Sequence, residues 1–566
     1  MVACIQPTDS SPALRVFGIY EIATFICELL SRRDNARLLC VCHRLSQDIR
    51  PFVWNHVAAV EPLIQMIPET RVDVYMEEPF PPFTVSIPIS CGTNFPDAMT
   101  KAIYLPDSIS LSRISFYSPY IKHLDIPLTT VANAYENWDG FLASTQSIDL
   151  LPNLECLSLA IPLLTRGETI TIQSLNWITA FLSSSLLCIQ IYPDLAWDTS
   201  TEKFMHAWIT LDYATKLLRS ISEKCHRLNC LMIMPGDVET QTTLVDTGTF
   251  NERITKTAPT EAVFLKPDLG LELVIPCFTS LRKLSITPFI LERAAFVALG
   301  KLPYLESLSI RELHIADEWP KIYCHTLNAD LETQAFPALR YLDLFDLTYD
   351  TVINICGQRQ LARAMHGLKP IVTWLSFRKN QLARLLRMLA HDNSPLRQLY
   401  LHIPGHWDIP PDFMGHFSHL KLTHLSLPQP NPFGLDYELN ELLQSVPALE
   451  SLEFNEWEIE HLLYIDQLRL IATSLPKLTH LSAPIDFSST AHFEERDFIP
   501  CTPQFPGLFY LETSFGSNNW VYAMNKLARY LHALWPNILC KSRSPLNPED
   551  DMNLTQLSDL LSKLRF

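Results

Sequence analysis

The sequence predicts an α/β solenoid, with parallel strands along its concave side and helices along its convex side, preceded by a small all-α module. Three observations predict it. An apolar pattern of about nine residues recurs between residues 118 and 515. The segments between its copies carry helical stripes. Residues 16–57 carry helical stripes alone, with no strand-like alternation and no proline before Pro51.

Residues 1–15 are expected to be disordered, and the module follows them. Ile22, Phe25, Ile26, Leu29 and Leu30 fall at i, i+3, i+4, i+7 and i+8, one face of a helix. Ser31-Arg32-Arg33-Asp34 interrupts it, with Asp34 as N-cap of a second helix. Leu38, Val41, Cys42, Leu45 and Ile49 line that second helix, and Pro51 stops it. The opening Ile19-Tyr20-Glu21-Ile22, the central Val41-Cys42-His43-Arg44-Leu45 and the closing Val53-Trp54 resemble the F-box. That family's pattern is Leu-Pro-x-Glu-Ile, an apolar helix, a break, a helix centred on Val-Cys-x-x-Trp, and a closing Leu-Trp.

The resemblance covers about 40 residues and departs from the pattern at Tyr20, where proline is usual, and at Leu45, where an aromatic is usual. It implies docking on the Skp-type adaptor of cullin-RING ubiquitin ligases, by apolar helix-in-groove contacts. The positions matching the family's contact or core residues are Ile19, Ile22, Phe25, Ile26, Leu29, Leu38, Val41, Leu45 and Trp54. The sequence does not separate contact from core among them. A cap on the array that follows is the other reading of this segment. Residues 58–117 are read as connector and N-terminal cap, because Pro68, Pro79, Pro81, Pro82, Pro88, Pro96 and Pro106 favour extended chain.

The array itself reads LPNLECLSL at Leu151–Leu159, FTSLRKLSI at Phe278–Ile286, LPYLESLSI at Leu302–Ile310 and FPALRYLDL at Phe336–Leu344. It continues as SPLRQLYL at Ser394–Leu401, LKLTHLSL at Leu420–Leu427, VPALESLEF at Val446–Phe454, LPKLTHLSA at Leu475–Ala483 and FPGLFYLET at Phe505–Thr513. Weaker copies are SPYIKHLDI at Ser118–Ile126, LLCIQI at Leu186–Ile191 and RLNCLMI at Arg227–Ile233. Leu-x-x-Leu-x-Leu places three apolar side chains on one side of a short strand. A helix must then cover the other side of that core. Leu211, Ala214, Leu217, Leu218 and Ile221 form such a stripe, as do Leu462, Ile465, Leu468, Ile471 and Leu475. Each unit buries its apolar face only against its neighbours, which stacks them into a solenoid. The chain resembles the leucine-rich-repeat family, with units longer than the roughly 20–29 residues common there.

Most successive copies begin 24–42 residues apart, but two gaps, 228 to 281 and 339 to 396, are longer. They predict insertions, or a degenerate copy, at 234–277 and 345–393. The solenoid is placed at 118–515. Residues 516–566 are placed as a C-terminal cap helix, WVYAMNKLARYLHALWP, and a tail. An F-box followed by repeats is the usual order in the resembling family. FYSPYIKHLDI and YLHALWPNI are similar to segments of its fungal members.

Composition narrows the function classes. There are 15 glycines in 566 residues, too few for the phosphate-cradling loops of a typical nucleotide enzyme. A net charge of −17 disfavours nucleic acid. Residues 1–15 lack a basic region followed by an apolar core, and no run approaches membrane-span length. The 14 cysteines are scattered singly. A cytoplasmic or nuclear, non-secreted protein with reduced thiols is expected, without a membrane partner. Walker, GxGxxG, GxSxG and HExxH motifs are absent. Cys40, Cys42 and His43 lack zinc spacing, so no cofactor or metal is expected and catalysis is not.

Residues between the core leucines point to the opposite face of each strand. From Tyr341 onward these positions are rich in tyrosine and histidine, residue types suited to recognition. Tyr341, Asp343, Tyr400, His424, His480 and Tyr510 are the candidate substrate-binding residues. The resulting expectation is a ubiquitin-ligase adaptor that holds a protein substrate on its repeats. The competing expectation is a repeat scaffold for protein binding with no ligase role.

Overall fold

Leucine alternation decides the architecture seen in the computed structural model. The structure describes residues 19–41, 43–76, 99–105, 110, 112–127, 133–137, 140–141, 143, 148–160, 177–191, 209–236, 270–311, 331–372, 379–391, 394–401, 414–428, 435–455, 463–487, 493–494, 498–500, 507, 509–513, 523–542 and 548–565. The expected disorder of residues 1–15 falls outside them. The chain divides into two compact units, Met1–Leu281 with Ile315–Asp317, and Arg282–His314 with Glu318–Phe566.

Among the described residues of the first unit, five strands of the main sheet pair in parallel, in chain order: β1 (His56–Val57), β2 (His123–Pro127), β3 (Cys156–Ala160), β4 (Cys188–Gln190) and β5 (Cys230–Met232). Among the described residues of the second unit, ten strands belong to the main sheet: β6 (Lys283–Ile286), β7 (Ser307–Arg311), β8 (Tyr341–Leu347), β9 (Gly367–Val372), β10 (Gln398–Tyr400), β11 (His424–Pro428), β12 (Ser451–Asn455), β13 (His480–Ser482), β14 (Phe509–Thr513) and β15 (Ile538–Ser542). These also pair in parallel and in chain order.

Register places like on like. Leu284, Leu308, Leu342, Leu368, Leu399, Leu425, Leu452, Leu481 and Leu511 are directly paired from strand to strand. None is more than 5% exposed. Leu124, Leu157, Ile189 and Leu231 form the same row in the first unit. Each buried aliphatic side chain stabilises by roughly 1.5–3 kcal/mol relative to exposure. The connecting helices close the core from the other side. Ala214, Leu217, Leu218 and Ile221 are buried on the helix Leu211–Lys224, and Ile465, Leu468 and Ile471 on the helix Ile465–Ser474. Leu462 lies outside the described residues.

The residues at 345–393 are not a plain insertion. They contain helices Tyr349–Cys356, Arg359–Ala364 and Lys379–His391, and between them the complete strand β9. That copy reads Met365-x-x-Leu368-x-Pro370, with methionine and proline at the outer leucine positions, and so escapes the pattern. Met365 is fully buried all the same. Of the 234–277 gap, residues 237–269 lie outside the described residues. At its edges, Pro235-Gly236 pairs in parallel with Ile209-Thr210.

The parallel strands also run past the predicted limits of 118–515. At the start, His56 and Val57, predicted as module, pair with His123 and Leu124. At the end, the described residues of 516–566 include a further strand, β15, between helices Met524–Leu534 and Pro548–Leu564. There Phe509 stacks on Trp535, ring centroids 4.0 Å apart. Leu557 and Leu561 of the last helix are buried, and Arg565 donates a hydrogen bond to the Ile538 carbonyl.

In the segment 58–117, read as connector and N-terminal cap, the described residues include buried positions and paired strands. Leu63, Ile64 and Ile67 are buried after β1. Arg71–Met76 pairs antiparallel with Met99–Tyr104, which pairs parallel with Asn133–Glu136.

The module comprises three helices, α1 (Tyr20–Leu29), α2 (Arg32–Leu38) and α3 (His43–Trp54). The predicted second helix is therefore two. Its N-cap is Ser31, whose hydroxyl accepts the Asp34 N–H at 3.2 Å, so the capping residue stands three positions before Asp34. Pro51 lies inside α3 and does not stop it; its carbonyl still accepts the Asn55 N–H at 2.9 Å. Cys27, Ile49 and Val53 form the module's core, with Leu38, Leu39, Phe52 and Trp54 packed on it. Among the described residues no helix is long and apolar enough to cross a membrane.

Candidate functional site

Two rows of side chains lie between the buried leucine rows of the second unit, one residue to either side of the central leucine. The first is Tyr341, Gly367, Gln398, His424, Ser451, His480 and Tyr510; the second is Asp343, Lys369, Tyr400, Ser426, Glu453, Ser482 and Glu512. All six predicted substrate-binding residues stand in these rows, on one face. Parallel strands are spaced by about 4.8 Å, so Tyr341 and Tyr510, six steps apart, are separated by about 29 Å. Such a span exceeds one small-molecule pocket and suits an extended contact.

Tyr341 and Tyr510 are exposed, and Asp343, Tyr400, His424 and His480 are half-buried. The ring of Tyr341 lies over Gly367, where an added Cβ would come within 2.7 Å of its Cδ1. Lys369 Nζ sits 5.8 Å from the Phe345 ring centroid and 6.0 Å from that of Tyr400. The Arg311 guanidinium lies over the Phe345 ring, 4.3 Å from its centroid. The Tyr400 hydroxyl is pushed above its ordinary range, first by burial, then by Glu453, Tyr341 and Asp343. This end of the face thus combines aromatic rings, cations and carboxylates.

The other end is a polar chain. His424 Nδ1 lies 2.9 Å from Thr423 Oγ1. His480 Nδ1 lies 3.0 Å from Ser451 Oγ, and its Nε2 is 3.7 Å from Glu512 Oε2. Glu512 also meets Lys541 Nζ at 3.5 Å. Each histidine is oriented by a neighbour in its own sheet. Among the described residues no three His, Cys, Asp or Glu side chains are grouped to hold a metal ion.

The module supplies a second surface. Ile19, Ile22, Phe25 and Leu29 of α1 and its N-terminus, and Val41 beyond α2, are exposed large apolar residues. Phe25 is 62% and Leu29 72% exposed. The remaining predicted adaptor contacts differ. Ile26 is half-buried, and Leu38 and Trp54 pack on the module core. The Trp54 ring also lies 4.6 Å from that of Tyr117. The Leu45 side chain lies outside the described residues. Ala23 and Cys27, on the far side of α1, are buried, so the helix turns one apolar face inward and another to solvent.

Sequence reasoning missed Arg311, Phe345 and Lys369. The signal for Lys369 was Met365-x-x-Leu368, a repeat disguised by its methionine.

No family model matches the chain, and no curated protein does. Among solved structures, the chain is similar to the crystal structure of a TLR13–ssRNA13 complex, at 15% identity and a TM-score of 0.27. The match covers 65% of this chain and spans 43% of that one. A likeness that loose carries no argument; the repeat architecture rests on the strand registers themselves.

Proposed function

We propose that the chain is the substrate-recognition adaptor of an SCF-type (cullin-RING) ubiquitin ligase, its leucine-rich repeats holding a protein substrate and its F-box-like module docking on the Skp-type adaptor. The observation that carries this reading is the solvent-facing apolar stripe Ile19, Ile22, Phe25 and Leu29 on a helix whose opposite side is already packed. An apolar stripe of that kind on a soluble module marks a partner site. The two rows between Tyr341 and Tyr510 supply the second contact. The chain then contributes proximity between substrate and transfer machinery, and its partners perform the chemistry.

The test is co-purification of the full chain with a Skp-type adaptor, repeated with Phe25→Glu and Leu29→Glu. Both residues are exposed, so folding is retained while a charge enters the docking face. Complete loss of adaptor with an unchanged melting temperature is the expected result. Retention of adaptor by both variants overturns the proposal. The competing reading, a scaffold whose helical segment caps the repeats, draws on the contacts of α3 with residues 116–120. The Arg50 guanidinium of α3 stacks on Phe116, 3.9 Å from its centroid, and lies 5.6 Å from that of Tyr120, tying the module to the first repeat. Under that reading wild-type protein recovers no adaptor either.

A further inference from the structure

The first unit carries a row that docking and substrate binding leave unused. His56, His123, Cys156, Cys188 and Cys230 occupy equivalent positions on β1 to β5, in unbroken register. In sequence the three cysteines are far apart. In the fold each is one parallel step, about 4.8 Å, from the next, inside the roughly 4.4–6.8 Å Cα separation that disulfides span. All three are thiols outside any disulfide, and all are partly accessible. Their side chains meet. Cys156 is hydrogen-bonded by the Cys188 thiol and by His123, and Cys188 contacts Cys230 in turn. On the neighbouring row, Asp125 accepts from Ser158 Oγ and lies 2.5 Å from His56 Nε2.

The electrostatics single out one of the three. The Cys188 thiol first, then His123, lowers the Cys156 thiol, against burial, which raises it. Cys188 is pushed the other way by its two thiol neighbours and by burial. One thiolate beside one protonated thiol is the arrangement of an attacking and a resolving cysteine.

We propose that Cys156, Cys188 and Cys230 form a thiol–disulfide exchange site for low-molecular-weight disulfides of the glutathione class, with Cys156 attacking and Cys188 resolving. The Cys156 thiolate attacks one sulfur of the disulfide. That S–S bond breaks, a mixed disulfide forms on Cys156, and the first small thiolate leaves and takes up a proton from water. Cys188 then loses its proton to water and attacks the Cys156 sulfur, forming the Cys156–Cys188 disulfide and releasing the second small thiol. Two protein thiols are oxidised and one small disulfide is reduced to two thiols, with no other reactant. Cys230 stands one step further on, so its thiolate can attack Cys188 and pass the bond along the row, which frees Cys156.

The experiment equilibrates the full chain with mixtures of oxidised and reduced glutathione, quenches with an alkylating agent and maps cysteine peptides by mass spectrometry. The expected product is a Cys156–Cys188 disulfide, formed while the exposed Cys40 and Cys277 remain alkylated. Cys188→Ser is expected to halt at glutathione on Cys156, and Cys156→Ser to slow the reaction at least about tenfold. Alkylation of unmodified protein at neutral pH provides a readout that needs no variant: Cys156 is expected to react at least about tenfold faster than Cys40. Equal rates at the two residues, or a disulfide joining cysteines that are not neighbours in the row, overturns the proposal.

Discussion

The strand hidden in the longest sequence gap offers the most direct test of the fold. Leu368→Ala removes three carbons from a side chain that is 1% exposed and paired in register with Leu342 and Leu399. At roughly 0.8 kcal/mol per methylene the transfer loss is about 2.4 kcal/mol. A cavity between two leucines that stay in place adds to it, bringing the total to about 2.7–5 kcal/mol. Met365→Ala, at a fully buried site, costs about 2–5 kcal/mol by the same reasoning. The two sites are close enough to couple, so the double variant loses less than the sum. Urea denaturation measures the totals. Because repeat arrays open in parts, hydrogen exchange on peptides spanning 359–372 locates the loss. Both variants falling within about 0.5 kcal/mol of wild type, the range of surface substitutions, would refute the reasoning. Residues 365–372 would then be no part of a core.

Other perturbations probe other levels. Asn35 is buried and donates from Nδ2 to the Cys27 carbonyl at 2.8 Å, tying α2 to α1. Asn35→Ala leaves that carbonyl without its side-chain partner and is expected to cost about 1–3 kcal/mol, read as faster exchange in α1 and α2 with the repeats unchanged. Gly367→Ala drives the exposed Tyr341 ring aside; stability is expected to fall by about 1 kcal/mol or less, while captured partners change as they do for Tyr341→Ala. Cys356 is fully buried, and burial pushes its thiol up to about 12, from 9.0. Unfolded protein therefore loses this proton first. The thiol's contribution to stability is complete below pH 9 and drains away toward pH 12, at about 1.4 kcal/mol per pH unit. Denaturation midpoints across that window, with Cys356→Ala as the flatter comparison, measure it.

Much of the fold was legible because leucine at every second position admits one reading. Copies with intact leucines, from Leu151 to Thr513, fall on parallel strands in the two units. What escaped was each place where another residue fills the same volume. Met365 and Pro370 disguised β9, and Trp535 and Ile538 disguised β15. Helix limits in the module slipped because Ser31 caps where Asp34 was expected, and because Pro51 is tolerated within α3.

The candidate sites divide along the same line. Period-two alternation told which strand residues face away from the core, so all six substrate-binding candidates stand in two adjacent rows. It did not tell which helix residues face solvent, because α1 is apolar on more than one side. Ile26 and Trp54 therefore resembled Phe25 until packing separated them. Neighbourhood across strands is a property of register, which loop lengths hide. Cys156, Cys188 and Cys230 look solitary in the sequence for that reason, as does Lys369 between its two rings.

The last helix, Pro548–Leu564, has a consequence beyond its own burial. A terminal strand such as Ile538–Ser542 offers unpaired amides and carbonyls along its outer edge, a template on which a second molecule can add. Leu557 and Leu561 seal the flank of that strand, and Arg565 occupies the carbonyl of Ile538. Strand addition at that edge is thereby hindered, and a protein truncated before Pro548 is expected to self-associate more readily, which sedimentation or size-exclusion chromatography would read.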